Sequence, residues 1–215
     1  MSTGFPQGQQ VMLKLESYTG GIVGTNAHLL SLSGGTLLVD APEGVQDWIA
    51  DQGVRVDALL LTHQHFDHVM DAARVQAAHG CPVYAWSAFD RNLTLEKFFG
   101  AMAGSSFAVP PFEVTTVLAD RGEITVAGCP WRLFHVPGHS PDSVCFWNEE
   151  QALLFSGDVI FSGSIGRTDF PGGSHGQLIT GIREKLLPLP PETRVFPGHG
   201  PDTTLGQEAA ENPFL

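Results

Sequence analysis

The sequence ALLLTHQHFDH, residues 58–68, is an apolar run that leads directly into a cluster of polar side chains. Its first four residues predict a buried strand, because they form a short, continuous apolar segment. In an extended segment alternate side chains point the same way, so His63 and His65 can bind one ion. Asp67 and His68 fall at the turn into the next predicted helix and can face a neighbouring ion.

The composition of this cluster is typical of a metal site. Neutral imidazole and carboxylate are the ligands that Zn²⁺ prefers in catalytic sites, at distances of about 2.0–2.2 Å. An isolated histidine is usually structural or solvated. Three histidines and one aspartate within six residues are not explained in that way.

Three further polar residues stand where other strand-like runs end, in the sequences VPGHS, FSGD and FPGHG. They are His139, Asp158 and His199. The glycine beside each lets the backbone approach closely or adopt a positive φ, which suits a side chain directed at a metal. Each alone is equally well explained as a turn residue. Together with the first cluster they predict four strand ends that converge on one site.

Strand-like runs alternate with helical runs along the chain, and this order favours two sheets packed face to face with helices outside. The chain opens with a predicted β-meander over Val11–Ser17, Ala27–Leu32 and Thr36–Val39. Helices are predicted over Gly44–Gln52, Val69–His79, Leu93–Phe99 and Gln177–Leu187. We expect one domain over residues 1–215.

The charge and hydropathy of the chain restrict its partners. The formal net charge is -12, from 23 acidic and 11 basic residues, which argues against nucleic-acid binding. No apolar run reaches the roughly 18–20 residues of a membrane span. Met1–Gln10 does not have the pattern of a signal peptide, and Cys81, Cys129 and Cys145 have no C-x-x-C spacing. We therefore expect a cytoplasmic protein with reduced thiols and no nucleic-acid or membrane partner, and the oligomeric state is open.

The order H-x-H-x-D-H, then His139, Asp158 and His199, resembles the metallo-β-lactamase superfamily. Within it the chain most resembles the short, single-domain members of the glyoxalase II (hydroxyacylglutathione hydrolase) group. The stretches LFSGD (154–158), GSIGRTDFP (163–171) and PGHGPDTT (197–204) carry that likeness, which runs from the region of Gly24 to the C-terminus. The resemblance implies an α/β protein, an αββα sandwich of two mixed β-sheets with helices on the outer faces.

The resemblance also implies a binuclear metal centre. Its ligand sets would be His63, His65 and His139 for one ion and Asp67, His68 and His199 for the other, with Asp158 as the bridge. Asp67 and Asp158 are accordingly the expected catalytic carboxylates. Asp40 matches an aspartate that supports the site by fixing an imidazole tautomer, although it also reads as an ordinary strand-end residue. Zinc is the expected metal, with iron and manganese as alternatives.

The activity implied is hydrolysis of a thioester, most plausibly an acyl-glutathione such as S-lactoylglutathione, by a hydroxide held between two metals. Arg167 matches a basic residue that contacts glutathione in the family, and pairing with Asp169 is an equally good explanation for it. Only 16 residues follow His199, so we expect no C-terminal glutathione-binding helical domain and a weak or broad substrate selectivity.

Two departures from the family pattern concern loops. Val69-Met70-Asp71 stands where Gly-Gly is frequent, and Ser140-Pro141-Asp142-Ser143 stands where Thr-Pro-Gly-Ser is more usual. Neither involves a predicted ligand.

A mononuclear iron persulfide dioxygenase is the main alternative, although its last ligand loop generally reads Pro-Ala-His-Asp rather than Pro197-Gly198-His199-Gly200. A β-lactamase is disfavoured, because several lactamase classes have a cysteine at the position of Asp158. An acylhomoserine lactonase is disfavoured because such enzymes use a tyrosine after the bridging aspartate. Both tyrosines of this chain, Tyr18 and Tyr84, come before Asp158. A non-catalytic binding module is disfavoured by the retention of all seven predicted ligands.

Overall fold

Two six-stranded sheets pack face to face in the computed structural model, which describes residues 14–103 and 107–215. The first sheet contains, in spatial order, β1 (Lys14–Gly20), β2 (Thr25–Leu32), β3 (Gly35–Val39), β4 (Ala58–Leu60), β5 (Val83–Ala85) and β6 (Thr116–Val117). Its first three strands are antiparallel and its last four are parallel, so the sheet is mixed.

The second sheet is formed by the later part of the chain. Its strands are β7 (Glu123–Val126), β8 (Cys129–His135), β9 (Val144–Asn148), β10 (Leu153–Gly157), β13 (Arg194–Pro197) and β14 (Thr203–Thr204). Between β10 and β13 the chain forms a separate short hairpin of β11 (Ile160–Phe161) and β12 (Ser164–Ile165). The spatial order is β14-β13-β10-β9-β8-β7, and β10 and β13 are parallel while the other pairs are antiparallel.

Helices lie against the outer faces of both sheets. They are α1 (Val45–Asp51), α2 (Phe66–Val69), α3 (Ala72–His79), α4 (Glu96–Ala103), α5 (His175–Gly181) with a π-helical continuation (Ile182–Leu186), and α6 (Leu205–Glu211). Among the described residues, no helix is long and apolar enough to cross a bilayer.

Three apolar layers explain why the central strands are apolar at consecutive positions. Leu29 and Leu38 face the first group of helices, whereas their neighbours Leu30 and Leu37 face the second sheet. A third layer joins the second sheet to α5 and α6. A strand buried on both faces cannot alternate with polar residues. The predicted αββα sandwich of mixed sheets is thereby confirmed.

The predicted helix Val69–His79 is interrupted, and its start was wrong. The chain leaves α2 at Met70 and begins α3 only at Ala72, because the Asp71 carboxylate accepts hydrogen bonds from the backbone of Gly44 and Gln46 at 3.0 and 3.2 Å. These contacts fix the entry of α1 against α3.

The opening strand of the predicted meander also differs at its bounds. Residues 11–13 of the predicted strand lie outside the described residues, as do Met1–Gln10, while β1 continues beyond Ser17 to Gly20.

Candidate metal centre

The loops that follow β4, β8, β10 and β13 converge at one edge of the sandwich, as the strand-end pattern predicts. Three groups of side chains each place one nitrogen or oxygen atom within 4.8 Å of one another: His63, His65 and His139; His63, His68 and Asp158; Asp67, His68 and His199. All seven predicted ligands are therefore in one cluster; the first and third groups are the two predicted ligand sets, and the second group, with Asp158, overlaps both.

Asp158 lies between the two sets. Its Oδ1 atom is 3.3 Å from Nε2 of His68, and its Oδ2 atom is 3.4 Å from Nε2 of both His139 and His199. A carboxylate that faces both sets with different oxygen atoms has the placement that a bridging ligand needs.

Some donor atoms in this cluster lack a hydrogen-bond partner, although His139 Nε2 and His65 Nδ1 lie 2.8 Å apart. His63 Nε2 is buried and has no hydrogen-bond partner among the described residues, and the 3.3 Å contact between His68 Nε2 and Asp158 Oδ1 does not have hydrogen-bond geometry. Leaving such a buried group unpaired costs about 1–3 kcal/mol. Imidazole nitrogen and carboxylate oxygen are first-choice ligands for divalent metals such as zinc. The residues present therefore suit a pair of divalent ions.

The charges around the second set attract cations. Burial alone would lower the pKa of His68, but Asp67, Asp158 and Asp40 raise it well above the usual histidine value. The pKa of His199 is likewise raised to about 10, because hydrogen bonds to Asp158 and Asp67 outweigh the opposing effect of burial. The same carboxylates that raise these two pKa values would attract a bound cation.

The first set has the opposite electrostatic character. Burial, with help from His68, lowers the pKa of His63 well below the usual value, and burial with His139 lowers that of His65 to about 3. Both rings are therefore neutral across the physiological range, which is the form in which imidazole binds a metal.

The distal nitrogens of the ligand histidines are held by neighbouring groups. His68 Nδ1 donates to Asp40 Oδ2 at 2.8 Å, as the predicted supporting role of that aspartate requires. His139 Nδ1 donates to the carbonyl of Arg167 at 2.8 Å, and His199 Nδ1 to the carbonyl of Gly24 at 3.2 Å. In the neutral imidazole each contact keeps the proton on Nδ1, so that the lone pair is on Nε2, the nitrogen that would bind a metal.

Two threonines that the sequence analysis did not identify complete this support. Thr62 donates its hydroxyl to Asp40 at 2.7 Å and lies 3.2 Å from Nδ1 of His63. Thr25 donates to Oδ2 of Asp67 at 2.7 Å. The adjacency of Thr62 to the cluster was an available signal, but Thr25 is 42 residues from its partner and gave none.

Gly198 shows why the ligand loops contain glycine. A Cβ atom at this position would overlap Oδ1 of Asp158 and Cε1 of His68. The backbone before His199 therefore passes too close to the cluster for any side chain.

Arg167 lies at the rim of the cluster and pairs with Asp169. Its Nε and Nη2 atoms donate to the two Asp169 carboxylate oxygens at 2.7 Å each, and its guanidinium lies 4.0 Å from the centre of the Phe170 ring. The ion-pair alternative is thus present in the structure, while the side chain still faces the cavity over the cluster.

That cavity has a volume of about 360 Å³ and opens above the ligand residues. Its remaining walls are mainly apolar and consist of Val23, Phe66, Phe99, Phe161, Ile165 and Phe170. A cavity of this size, with metal-binding groups at its base, has the form of a small-molecule site.

Asp142, in one of the loops that depart from the family pattern, is a buried carboxyl close to the cluster. It is 3% exposed, and burial raises its pKa from 3.8 to about 6 although the Ser140 hydroxyl donates to it. A raised folded-state pKa means that the folded protein holds this proton more tightly than the unfolded chain. This stabilisation is complete below about pH 4 and is lost as the pH rises through about 6.

Replacement of Asp142 by asparagine is therefore expected to make stability less dependent on pH. The free energy of unfolding of the variant should rise relative to the native protein by up to about 3 kcal/mol between pH 4 and pH 7. Urea unfolding of both metal-free proteins across this range measures the difference, with the exposed Asp51→Asn as control. A difference that stays constant with pH would contradict the assignment.

Comparison with known proteins agrees with this geometry. The sequence model of the family described as "Metallo-beta-lactamase superfamily" matches residues 20–199. The chain is similar to the hydroxyacylglutathione hydrolase GloC of Haemophilus influenzae, with 38% identity over 173 residues that cover 78% of this chain and 79% of GloC.

Two solved structures are similar over nearly their full length. The BLEG-1 B3 metallo-beta-lactamase aligns with a TM-score of 0.82 and 33% identity, covering 94% of this chain and 99% of that one. The protein TTHA1623, in a di-iron-bound form, aligns with a TM-score of 0.79 and 40% identity, covering 93% of this chain and 100% of that one.

Proposed function

The chain belongs to the metallo-β-lactamase superfamily, and we propose that it is a metal-dependent hydrolase of acyl-glutathione thioesters such as S-lactoylglutathione, with two divalent ions bound. The observation that carries the proposal is the convergence of seven histidine and aspartate side chains in two adjacent sets, with buried donor atoms left unpaired. Zinc is the proposed metal, with iron and manganese as alternatives; TTHA1623 in its di-iron-bound form keeps iron open.

Two bound divalent ions would supply a hydroxide nucleophile near neutral pH and polarise the substrate carbonyl. The chain orients the groups around that chemistry. Thr25 fixes Asp67, and Asp158 faces both sets, so the two carboxylates hold fixed positions at the base of the cavity. The apolar wall would restrict water around a bound carbonyl, which would strengthen electrostatic interactions there.

A thioester fits this site because its cleavage needs no strong general acid. The leaving thiol has an ordinary pKa of about 8.5, so it departs readily as a thiolate. An amide nitrogen would require protonation. The similarity to a protein named hydroxyacylglutathione hydrolase supports the same substrate class.

Purified protein loaded with zinc, iron or manganese should hydrolyse S-lactoylglutathione and S-acetylglutathione, and elemental analysis should find two ions per chain. Absence of hydrolysis above background with every acyl-glutathione and every metal rejects the proposal. Oxygen uptake with glutathione persulfide, together with a single iron, would instead identify a persulfide dioxygenase. The assay should also include a β-lactam substrate, because one similar structure, with 33% identity, is a B3 metallo-beta-lactamase.

We also propose weak binding of the glutathione part. Because the Arg167 guanidinium is already held by Asp169 and Phe170, Arg167→Ala should change KM for S-lactoylglutathione by less than about fivefold, the range of an exposed ion pair. Asp169→Asn should lower KM by freeing the guanidinium. Steady-state kinetics measures both, with the exposed Arg121→Ala as control. A rise in KM of tenfold or more in Arg167→Ala would show a direct substrate contact.

The cytoplasm is the proposed location, since Cys81, Cys129 and Cys145 are all free thiols.

A further inference from the structure

A second cavity lies beside the one over the metal centre. Its volume is about 350 Å³, and it shares Phe66 and Asp67 with the first cavity. Both volumes fall within the range of about 300–1,000 Å³ that is usual for ligand sites. The two cavities therefore adjoin at Phe66 and Asp67 and make up one cleft, in which Arg167 lines only the first cavity.

The second cavity is walled mainly by apolar side chains from separate elements. Ile22 comes from the turn between β1 and β2, Met70 from the end of α2, and Phe107 from the segment after α4. Phe107 packs on Phe66, with ring centroids 5.0 Å apart. These side chains would lose contact with water if an apolar group entered.

Ile22 is the most exposed large apolar side chain among the described residues, at 88%. It stands at the tip of its turn and faces the second cavity. A single exposed isoleucine needs no explanation, but one that walls a cavity adjoining a reactive centre offers contact area to a bound substrate.

The charges distinguish the two ends of the cleft. Among the described residues that line either cavity, Arg167 alone carries a guanidinium or ammonium group, and it lines the first cavity. Glu43 lines the second. Glu43 would repel a substrate carboxylate, so the anionic glutathione part fits the second cavity less well than the first.

We propose that the second cavity is an acyl subsite, which selects thioesters with an uncharged, apolar acyl chain of several carbons. The reacting carbonyl then lies at the centre beside Asp67, the acyl chain extends over Phe66 toward Ile22 and Phe107, and the thiol part leaves along the first cavity. The inference rests on the proposed thioesterase function and adds the acyl group as its main determinant of specificity.

A series of acetyl, butyryl and hexanoyl glutathione thioesters tests the subsite. Each methylene buried should raise kcat/KM about threefold to fourfold, so hexanoyl should exceed acetyl at least tenfold. Succinyl glutathione should be at least tenfold slower than the butyryl thioester, because its terminal carboxylate meets Glu43. A flat series, or one that falls with chain length, overturns the subsite; no hydrolysis of any thioester overturns the proposed function instead.

Substitutions locate the effect. Ile22→Asp should reduce the hexanoyl-to-acetyl ratio of kcat/KM to near one, and the exposed position makes misfolding a small concern. Val117→Asp changes another exposed β-branched residue outside both cavities and should keep the native ratio. In Glu43→Gln, the kcat/KM for succinyl glutathione should approach that for the butyryl thioester. An unchanged ratio in Ile22→Asp contradicts the proposal.

Binding provides a readout that does not need turnover. Ketone analogues with a methylene between sulfur and carbonyl cannot be hydrolysed, and calorimetry can follow their binding to the native protein. The pentyl ketone, which corresponds to the hexanoyl thioester, should bind at least tenfold more tightly than the methyl ketone, with a more negative heat-capacity change from apolar burial. Equal affinities and equal heat-capacity changes would exclude the acyl subsite.

Discussion

Replacement of Asp158 by asparagine is expected to lower kcat/KM for acyl-glutathione hydrolysis at least about 100-fold. Loss of a residue that only supports a metal ligand costs about 10-fold to 100-fold, and here a proposed ligand itself is lost. The two carboxylate oxygens face different sets, with Oδ1 near His68 and Oδ2 near His139 and His199. Asparagine keeps the size but offers one oxygen and no negative charge, so it cannot serve both sets.

The bound metal should fall from two ions per chain to one or none in Asp158→Asn. Elemental analysis after gel filtration measures this, and circular dichroism verifies that the variant is folded. Asp202→Asn is the matched control, because Asp202 is outside the cluster and forms an exposed ion pair with Arg194 at 3.0 Å. Two ions and native activity in Asp158→Asn would disprove the bridging role.

The sequence was sufficient to predict the cluster, because each proposed ligand stands at the end of a strand-like run. Asp158 follows β10 and His199 follows β13, and these strands are parallel neighbours. Their carboxyl ends therefore meet at the same edge of the sheet. The cluster 63–68 follows β4 of the other sheet, whose strand end lies opposite. An apolar run followed by a polar residue predicts such a strand end even when the pairing of the strands is not known.

The supporting contacts could not be predicted in that way. The Arg167 carbonyl that holds His139, and the Gly24 carbonyl that holds His199, are backbone atoms with no residue preference. The break between α2 and α3 depends on backbone groups that Asp71 meets only in the folded chain. The second cavity likewise arises from segments distant in sequence. Tertiary contacts decide each of these features.

Asp40 is the supporting residue whose replacement should have the next largest effect. Its Oδ2 atom accepts from His68 Nδ1 at 2.8 Å and from the Thr62 hydroxyl at 2.7 Å, while Oδ1 accepts from the Thr62 backbone at 2.8 Å. Its backbone has φ 59, a left-handed conformation that aspartate and asparagine tolerate better than most residues. Asp40→Asn therefore preserves the backbone while it changes the hydrogen bonds.

Either orientation of the new amide directs its NH₂ group at an existing donor. With the NH₂ in place of Oδ2 it faces His68 and the Thr62 hydroxyl, and in place of Oδ1 it faces the Thr62 backbone. We expect metal affinity to fall about 10-fold to 100-fold. Competition with a fluorescent chelator measures it. Asp57→Asn is the control, since Asp57 accepts from the Thr36 backbone at 2.9 Å on the exposed surface.

The two proposed metal sites should respond unequally to Asp40→Asn, and this separates a positioning role from a general loss of stability. Asp40 contacts His68 directly but reaches His63 only through Thr62. The ion held by the set of His68 should therefore weaken more than the ion held by the set of His63. A merely structural defect would lower both affinities together with the unfolding temperature of the metal-free protein. Equal weakening of both sites would thus reject the positioning role.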